Sequence, residues 1–182
     1  MAKKGLLVLL LAAIVAGGVF AQDKKVWLSG EVSIVGAGLR GEYMLSDNLS
    51  LSVNAYWTSF LFFWNDMGAN VMARYYFGDG VFYAGLGAGY SYNTGTKDVD
   101  FKYDGVTYTE SQLVGTTGIG IVPEFGAKFK VGTSGLYVNP FLQVPVTIGK
   151  QTPVISIYGE DEDLGWGVTW GVRPAFGVGY TF

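Results

Sequence analysis

Eight charged side chains fall where side-chain direction alternates along the chain: Glu31, Arg40, Glu42, Arg74, Glu124, Lys128, Lys130 and Arg173. Three acids and five bases brought to one enclosed face can pair, which lowers the cost of taking each from water. Catalysis is a poor use for them. The chain has no histidine and no cysteine. That removes imidazole acid–base chemistry, the Ser-His-Asp arrangement, thiolate nucleophiles and the usual zinc ligands. No motif points to a carboxylate-only mechanism, so no enzyme activity, catalytic residue, metal or cofactor is expected.

Three other stretches carry possible chemistry. "GAGLRG" (Gly36, Gly38, Gly41) matches a dinucleotide fingerprint, but the residues after it alternate as a hairpin rather than opening a helix, so cofactor binding is not expected. "GEDED" (159–163) gathers four carboxylates without the spacing of a calcium loop and reads best as a solvated tip. "TSFLFFW" (58–64) is apolar on both faces: an interfacial aromatic belt, or a loop that contacts lipid or admits a hydrophobic solute sideways.

The elements that must position these residues are strands. Charged residues make up only 15% of the chain, against about 25% in a typical soluble domain, while aromatics reach 16% and glycines number 28. Alternation of period two marks eight segments: 26–34, 37–45, 49–57, 67–77, 81–92, 119–131, 136–148 and 166–182. Each has one continuous apolar face. The other face is polar, small or charged, with Tyr56, Tyr76, Tyr83, Tyr137 and Phe141 among its residues. Short turns ("SDN", "GDG", "GTSG") alternate with long polar connections at 93–117 and 149–165, and 58–66 is intermediate. The glycines at 85, 87 and 89 leave room for a Tyr or Arg from the opposite wall.

The N-terminus reads "MAKKGLLVLLLAAIVAGGVFAQ": two lysines, a short apolar run and a small-residue site. This is the pattern of a cleavable signal peptide over 1–21, with Gln22 the first mature residue. Removing two lysines from 12 basic residues leaves 10 against 15 acids, a balance of −5, which makes nucleic acid a poor partner.

A soluble barrel would bury the apolar faces; a membrane barrel turns them outward to lipid. Segments of 9 to 17 residues match a tilted crossing of ~9–11 residues better than the ~5–6 of soluble strands. Aromatics near the segment ends suit the interfacial girdles. The expected fold is therefore all-β: an eight-stranded antiparallel up-and-down transmembrane barrel over 22–182, with the ionic residues inside.

The last segment, with Phe176, Val178, Tyr180 and Phe182 alternating against small residues, resembles the C-terminal signal of bacterial outer-membrane barrels. In size, strand number and tail the chain is similar to the small barrels typified by OmpX, the OmpA barrel and OmpW. The resemblance implies a place in the cell outer membrane, reached by export, with outer-membrane lipid and the barrel assembly machinery as partners. A lumen filled by side chains, together with long loops that are acidic and contain tyrosines, points to a structural or surface-interaction role, adhesion-like, with a surface ligand at those loops. The alternative is a narrow channel or carrier for a small hydrophobic or polar solute.

Overall fold

The computed structural model describes residues 26–33, 36–60, 64–78, 80–154 and 164–182. The expected signal peptide, the "GEDED" loop and residues 61–63 of the apolar stretch lie outside the described residues.

Every regular element among the described residues is a strand: β1 (Val26–Ser33), β2 (Gly36–Met44), β3 (Leu49–Phe60), β4 (Trp64–Phe77), β5 (Phe82–Tyr103), β6 (Val106–Ala127), β7 (Phe129–Lys130), β8 (Leu136–Gln143), β9 (Val146–Pro153), β10 (Trp166–Trp170) and β11 (Arg173–Thr181). All pairings are antiparallel, and they close on themselves because β11 pairs with β1 and β6 pairs with both β8 and β9. The eleven pieces make eight staves. β8 and β9 form one stave, since Glu124 faces Gln143 and Ile121 faces Val146 in unchanged register. The break falls at Pro145, which has no N–H to give the ladder; β10 and β11 form the eighth stave in the same way.

The stagger of the closed sheet can be walked. Phe176 pairs with Val32, Val32 with Ala37, Ala37 with Trp57, Trp57 with Met67, Met67 with Tyr92, Tyr92 with Thr117, Thr117 with Lys150, and Lys150 with Trp166. The circuit returns to its starting stave at residue 166 instead of 176, ten residues displaced. Eight staves with that stagger are tilted by roughly 40°, and the interior is only wide enough for side chains to fill.

The apolar alternation points outward. Leu51, Val53, Val71, Leu86, Ile119, Phe125 and Val178 are exposed, while Glu31, Arg40, Glu42, Arg74, Glu124 and Arg173 are buried. Outward aromatics gather toward the two ends, with Trp57, Tyr90 and Trp166 on one side and Tyr75, Phe77, Phe82, Tyr180 and Phe182 on the other.

Three of the links differ from the sequence reading. β3 and β4 run on to Phe60 and Trp64, and so absorb most of the link expected at 58–66. The stave holding β9 runs to Pro153. The largest change is at 93–117, expected as a polar loop. There β5 and β6 continue as a paired ribbon to a two-residue turn at Asp104 and Gly105, both with positive φ (50° and 79°). Asp-Gly is the sequence such a turn favours, because its strained backbone excludes most other pairs, and the flanking Thr, Val and Tyr residues suit a strand. Outward positions on this ribbon change from Phe82, Leu86 and Tyr90 to Thr96, Asp98 and Asp100. Asp98 and Asp100 accept hydrogen bonds from Ser111 and Thr109 across the ladder. The apolar exterior therefore ends near Tyr90, and the ribbon beyond it is built for water.

Candidate functional site

Inward positions on β1, β2, β4, β6 and β11, with Lys128 just past the end of β6, carry the charged residues to one level of the interior. The tilt and stagger do this: Arg40 and Glu124 are 84 positions apart in sequence yet meet as a two-pronged pair, with Arg40 Nη1 and Nη2 donating to the two Glu124 oxygens at 2.9 and 2.8 Å. Glu124 also accepts from Arg74 and, at 2.6 Å, from Gln143 Nε2. Arg74 donates to Glu42 at 2.7 Å, and Lys128 Nζ donates to the same oxygen at 2.7 Å. On the other side Arg40 pairs with Glu31, which accepts from Arg173 at 3.0 Å. Arg173 donates to Gln143 at 2.5 Å.

In order, Arg173, Glu31, Arg40, Glu124, Arg74, Glu42 and Lys128 form a chain in which the sign of charge alternates at every step. Every side chain in it is nine-tenths buried or more. An isolated buried ion would cost several kcal/mol; alternation gives each inner member an opposite charge on both sides. Arginine suits this place because its planar fork meets a carboxylate with two parallel bonds.

Each cation also lies over an aromatic ring. Arg173 sits 4.4 Å from the Tyr56 ring centre, Arg40 4.5 Å from Phe141, Arg74 4.6 Å from Tyr83 and Lys128 3.1 Å from Trp27. Trp27, Tyr76, Tyr83, Tyr137 and Phe141 pack as one cluster on the short-turn side of the chain of charges. Three of the inward tyrosines lie directly across the ladder from a glycine: Tyr56 from Gly68, Tyr83 from Gly126 and Tyr137 from Gly179. A Cβ on any of these glycines would overlap the tyrosine ring. The glycines at 85, 87 and 89 make room for the adjacent strand rather than the opposite wall: a Cβ at Gly85 would meet Met72 Sδ at 3.0 Å and Arg74 Cγ at 3.1 Å, one at Gly87 would meet Met72, and one at Gly89 would strike the β4 backbone.

This packing yields a first expected result. Gly126→Ala should displace the Tyr83 ring, weaken the 3.1 Å bond that Asn139 donates to its hydroxyl, and lower stability by about 1–3 kcal/mol through overpacking. Urea unfolding of the refolded barrel measures it. An unchanged midpoint would mean that the ring can move freely.

Lys130 requires a correction. It keeps the inward parity of Glu124 and Lys128 but is exposed and joins no part of the chain of charges among the described residues. The reason is the end of the wall. β5 begins at Phe82, opposite Ala127, so past that point β7 has a neighbour only in β8 and Lys130 reaches solvent. The interior therefore holds three acids and four bases of the expected set. Asp66, absent from that set, is also buried. It accepts from the Thr94 N–H at 3.1 Å, and the apolar letters around it hid the alternation that a longer β4 would have revealed. Phe176, Val178, Tyr180 and Phe182 all face outward on the last stave and are exposed.

Toward the ribbon end the interior is polar, with the Asp66 carboxylate buried there and the Ser91 and Thr147 hydroxyls 2.6 Å apart. Ser52, Asn54, Tyr56 and Asn70 present buried polar atoms with no protein hydrogen-bond partner. Among the described residues no group of three or more His, Cys, Asp or Glu side chains is placed to hold a metal ion. Every carboxylate in the chain of charges is committed to cations.

No family model matches the chain, and no curated protein matches it in sequence. Among solved structures, it is similar to the N-terminal β-barrel domain of Pseudomonas aeruginosa OprF, with 15% identity and a TM-score of 0.40 over 87% of this chain and 96% of that one.

Proposed function

We propose that this chain is an integral outer-membrane barrel whose wall is embedded in lipid and whose work is done outside the membrane by the β5–β6 ribbon. One observation carries the reading: a closed wall with apolar side chains outside and an ion-paired, ring-packed interior. An exterior of that kind fits hydrocarbon, and the aromatics at its two margins fit the bilayer interfaces. The filled interior disfavours an open pore. Among the described residues, what remains available to a partner is the ribbon, with Asp98 and Asp100 on its outer face and Val106 and Tyr108 exposed on its other face. The partner is then a surface ligand, and no catalysis is assigned. The outward row Phe176, Val178, Tyr180 and Phe182 is the stretch we assign to recognition by the assembly machinery during insertion.

Two measurements test this role. In planar bilayers the protein should give no steady openings. Excision of residues 96–112, bridged by a two-residue turn, should leave a folded barrel that no longer binds cells or matrix. Binding that survives the excision contradicts the role given to the ribbon. Steady openings would favour the second reading, a narrow passage for a small solute. The unpaired polar stripe of Ser52, Asn54, Tyr56 and Asn70 supports that reading as a hydrated path.

A further inference from the structure

The wall is not uniform. All the prolines among the described residues fall on three adjacent staves: Pro123 on β6, Pro140, Pro145 and Pro153 on the β8–β9 stave, and Pro174 on β11. Between β6 and β8 their effect accumulates. The Val144 N–H donates to the Pro123 carbonyl at 3.0 Å, which marks Pro123 and Val144 as a hydrogen-bonded pair. Such pairs recur every second residue, so Phe125 with Leu142 and Ala127 with Pro140 are the next two. Pro123 and Pro140 each lack the returning N–H. Two of three consecutive pairs on this seam are therefore halved, and the regular β6–β8 ladder shrinks to residues 124–126 against 141–143.

A groove of about 620 Å³ lies on this seam, on the outer surface toward the short turns. Phe77, Phe82, Phe125, Pro140, Leu142 and Pro174 form its sides. Tyr83, Gly126, Ala127, Phe141 and Ala175 complete its lining, and of these Tyr83 and Phe141 belong to the buried ring cluster. No charged side chain lines it. The volume lies within the range of small-molecule sites.

We infer that this groove is a lateral binding site for one hydrocarbon chain of a bilayer lipid, seated across the β6–β8 seam. The inference rests on the bilayer reading above. A lipid tail is the occupant because the groove opens onto the apolar exterior between outward Phe82, Phe125 and Leu142, where bilayer hydrocarbon is the surrounding medium. An aromatic and proline lining gives it carbon contacts and no polar partner. The thinned ladder lets the wall yield there at the loss of fewer hydrogen bonds than elsewhere.

The test uses the full barrel in phosphatidylcholine vesicles containing a fraction of phosphatidylcholine with a diazirine on its acyl chain. After irradiation, labelled peptides are mapped by mass spectrometry. Labelling should be several-fold higher on 123–127 and 140–143 than on the outward residues of β3. Pro140→Trp, which fills the groove, should remove most of that excess and leave β3 labelling unchanged. Leu142→Trp serves the same purpose if Pro140→Trp does not fold. Even labelling around the wall overturns the inference while sparing the bilayer reading, as does an excess that survives filling. Absence of label from every outward position would overturn the bilayer reading itself.

Discussion

Glu124→Ala should lower the unfolding free energy of the barrel by about 3–5 kcal/mol, the cost of breaking a buried ion pair from one side. Glu124 is fully buried, accepts both prongs of Arg40 at 2.9 and 2.8 Å, and also accepts from Arg74 and Gln143. Both guanidinium groups it leaves are themselves buried, and each retains only one other acid, Glu31 or Glu42. The excess of positive charge within the chain of charges rises from one to two, counted over Glu31, Glu42 and Glu124 against Arg40, Arg74, Lys128 and Arg173. Urea unfolding from lipid vesicles measures the loss. Repeating the change in an Arg40→Met background should reduce it by about 0.5–3 kcal/mol, since the two residues share one interaction. Lys130→Ala, made as a control at an exposed site, should stay within about 0.5 kcal/mol. A Glu124→Ala effect as small as that of Lys130→Ala would mean that the chain of charges does not stabilise the fold.

The second large effect lies on the opposite face of the wall. Val53 and Val71 face each other across β3 and β4 at mid-height, and both point outward. Val53→Arg should cost about 2–4 kcal/mol in a bilayer, where a guanidinium at mid-depth meets hydrocarbon. Leu45→Arg, at the short-turn margin and also exposed, should cost about 0–1 kcal/mol, because the side chain reaches the interface. In water an exposed valine replaced by arginine changes stability by about 0.5 kcal/mol or less. The gradient from margin to middle is thus the signature of lipid. Equal and small effects at both sites would contradict it.

Much of the fold was legible because one physical fact, alternation of period two, governs both its strands and its faces. Val53 beside Asn54, or Val178 beside Gly179, already separates outside from inside once a membrane is allowed. The failures have local causes. Lys130 obeys the alternation, but where the wall ends depends on where β5 begins, and that is a property of register. Asp66 is not legible because the apolar run from Phe60 to Trp64 just before it masks where the strand begins. The ribbon was missed although Asp104-Gly105 marks its turn, because polar alternation resembles a loop when apolar faces alone are sought. Which acid meets which base was beyond reach. Arg40 finds Glu124 only through a ten-residue stagger accumulated around eight staves, and each turn contributes a shift that its sequence sets loosely. The lateral groove had a trace in the sequence, the prolines at 123, 140 and 174, but their convergence on one seam required the pairing.

The native chain has no cysteine, so single cysteines placed along β3 can report the environment of each position without background. The barrel is reconstituted in vesicles and each site is given a fluorophore, which is then challenged with a quencher confined to the hydrocarbon phase. Leu51→Cys, Val53→Cys and Ala55→Cys should be quenched strongly, while Ser52→Cys and Asn54→Cys should be protected. Quenching that ignores this alternation, or outward sites that react with a water-soluble maleimide while embedded, would contradict a wall that faces lipid.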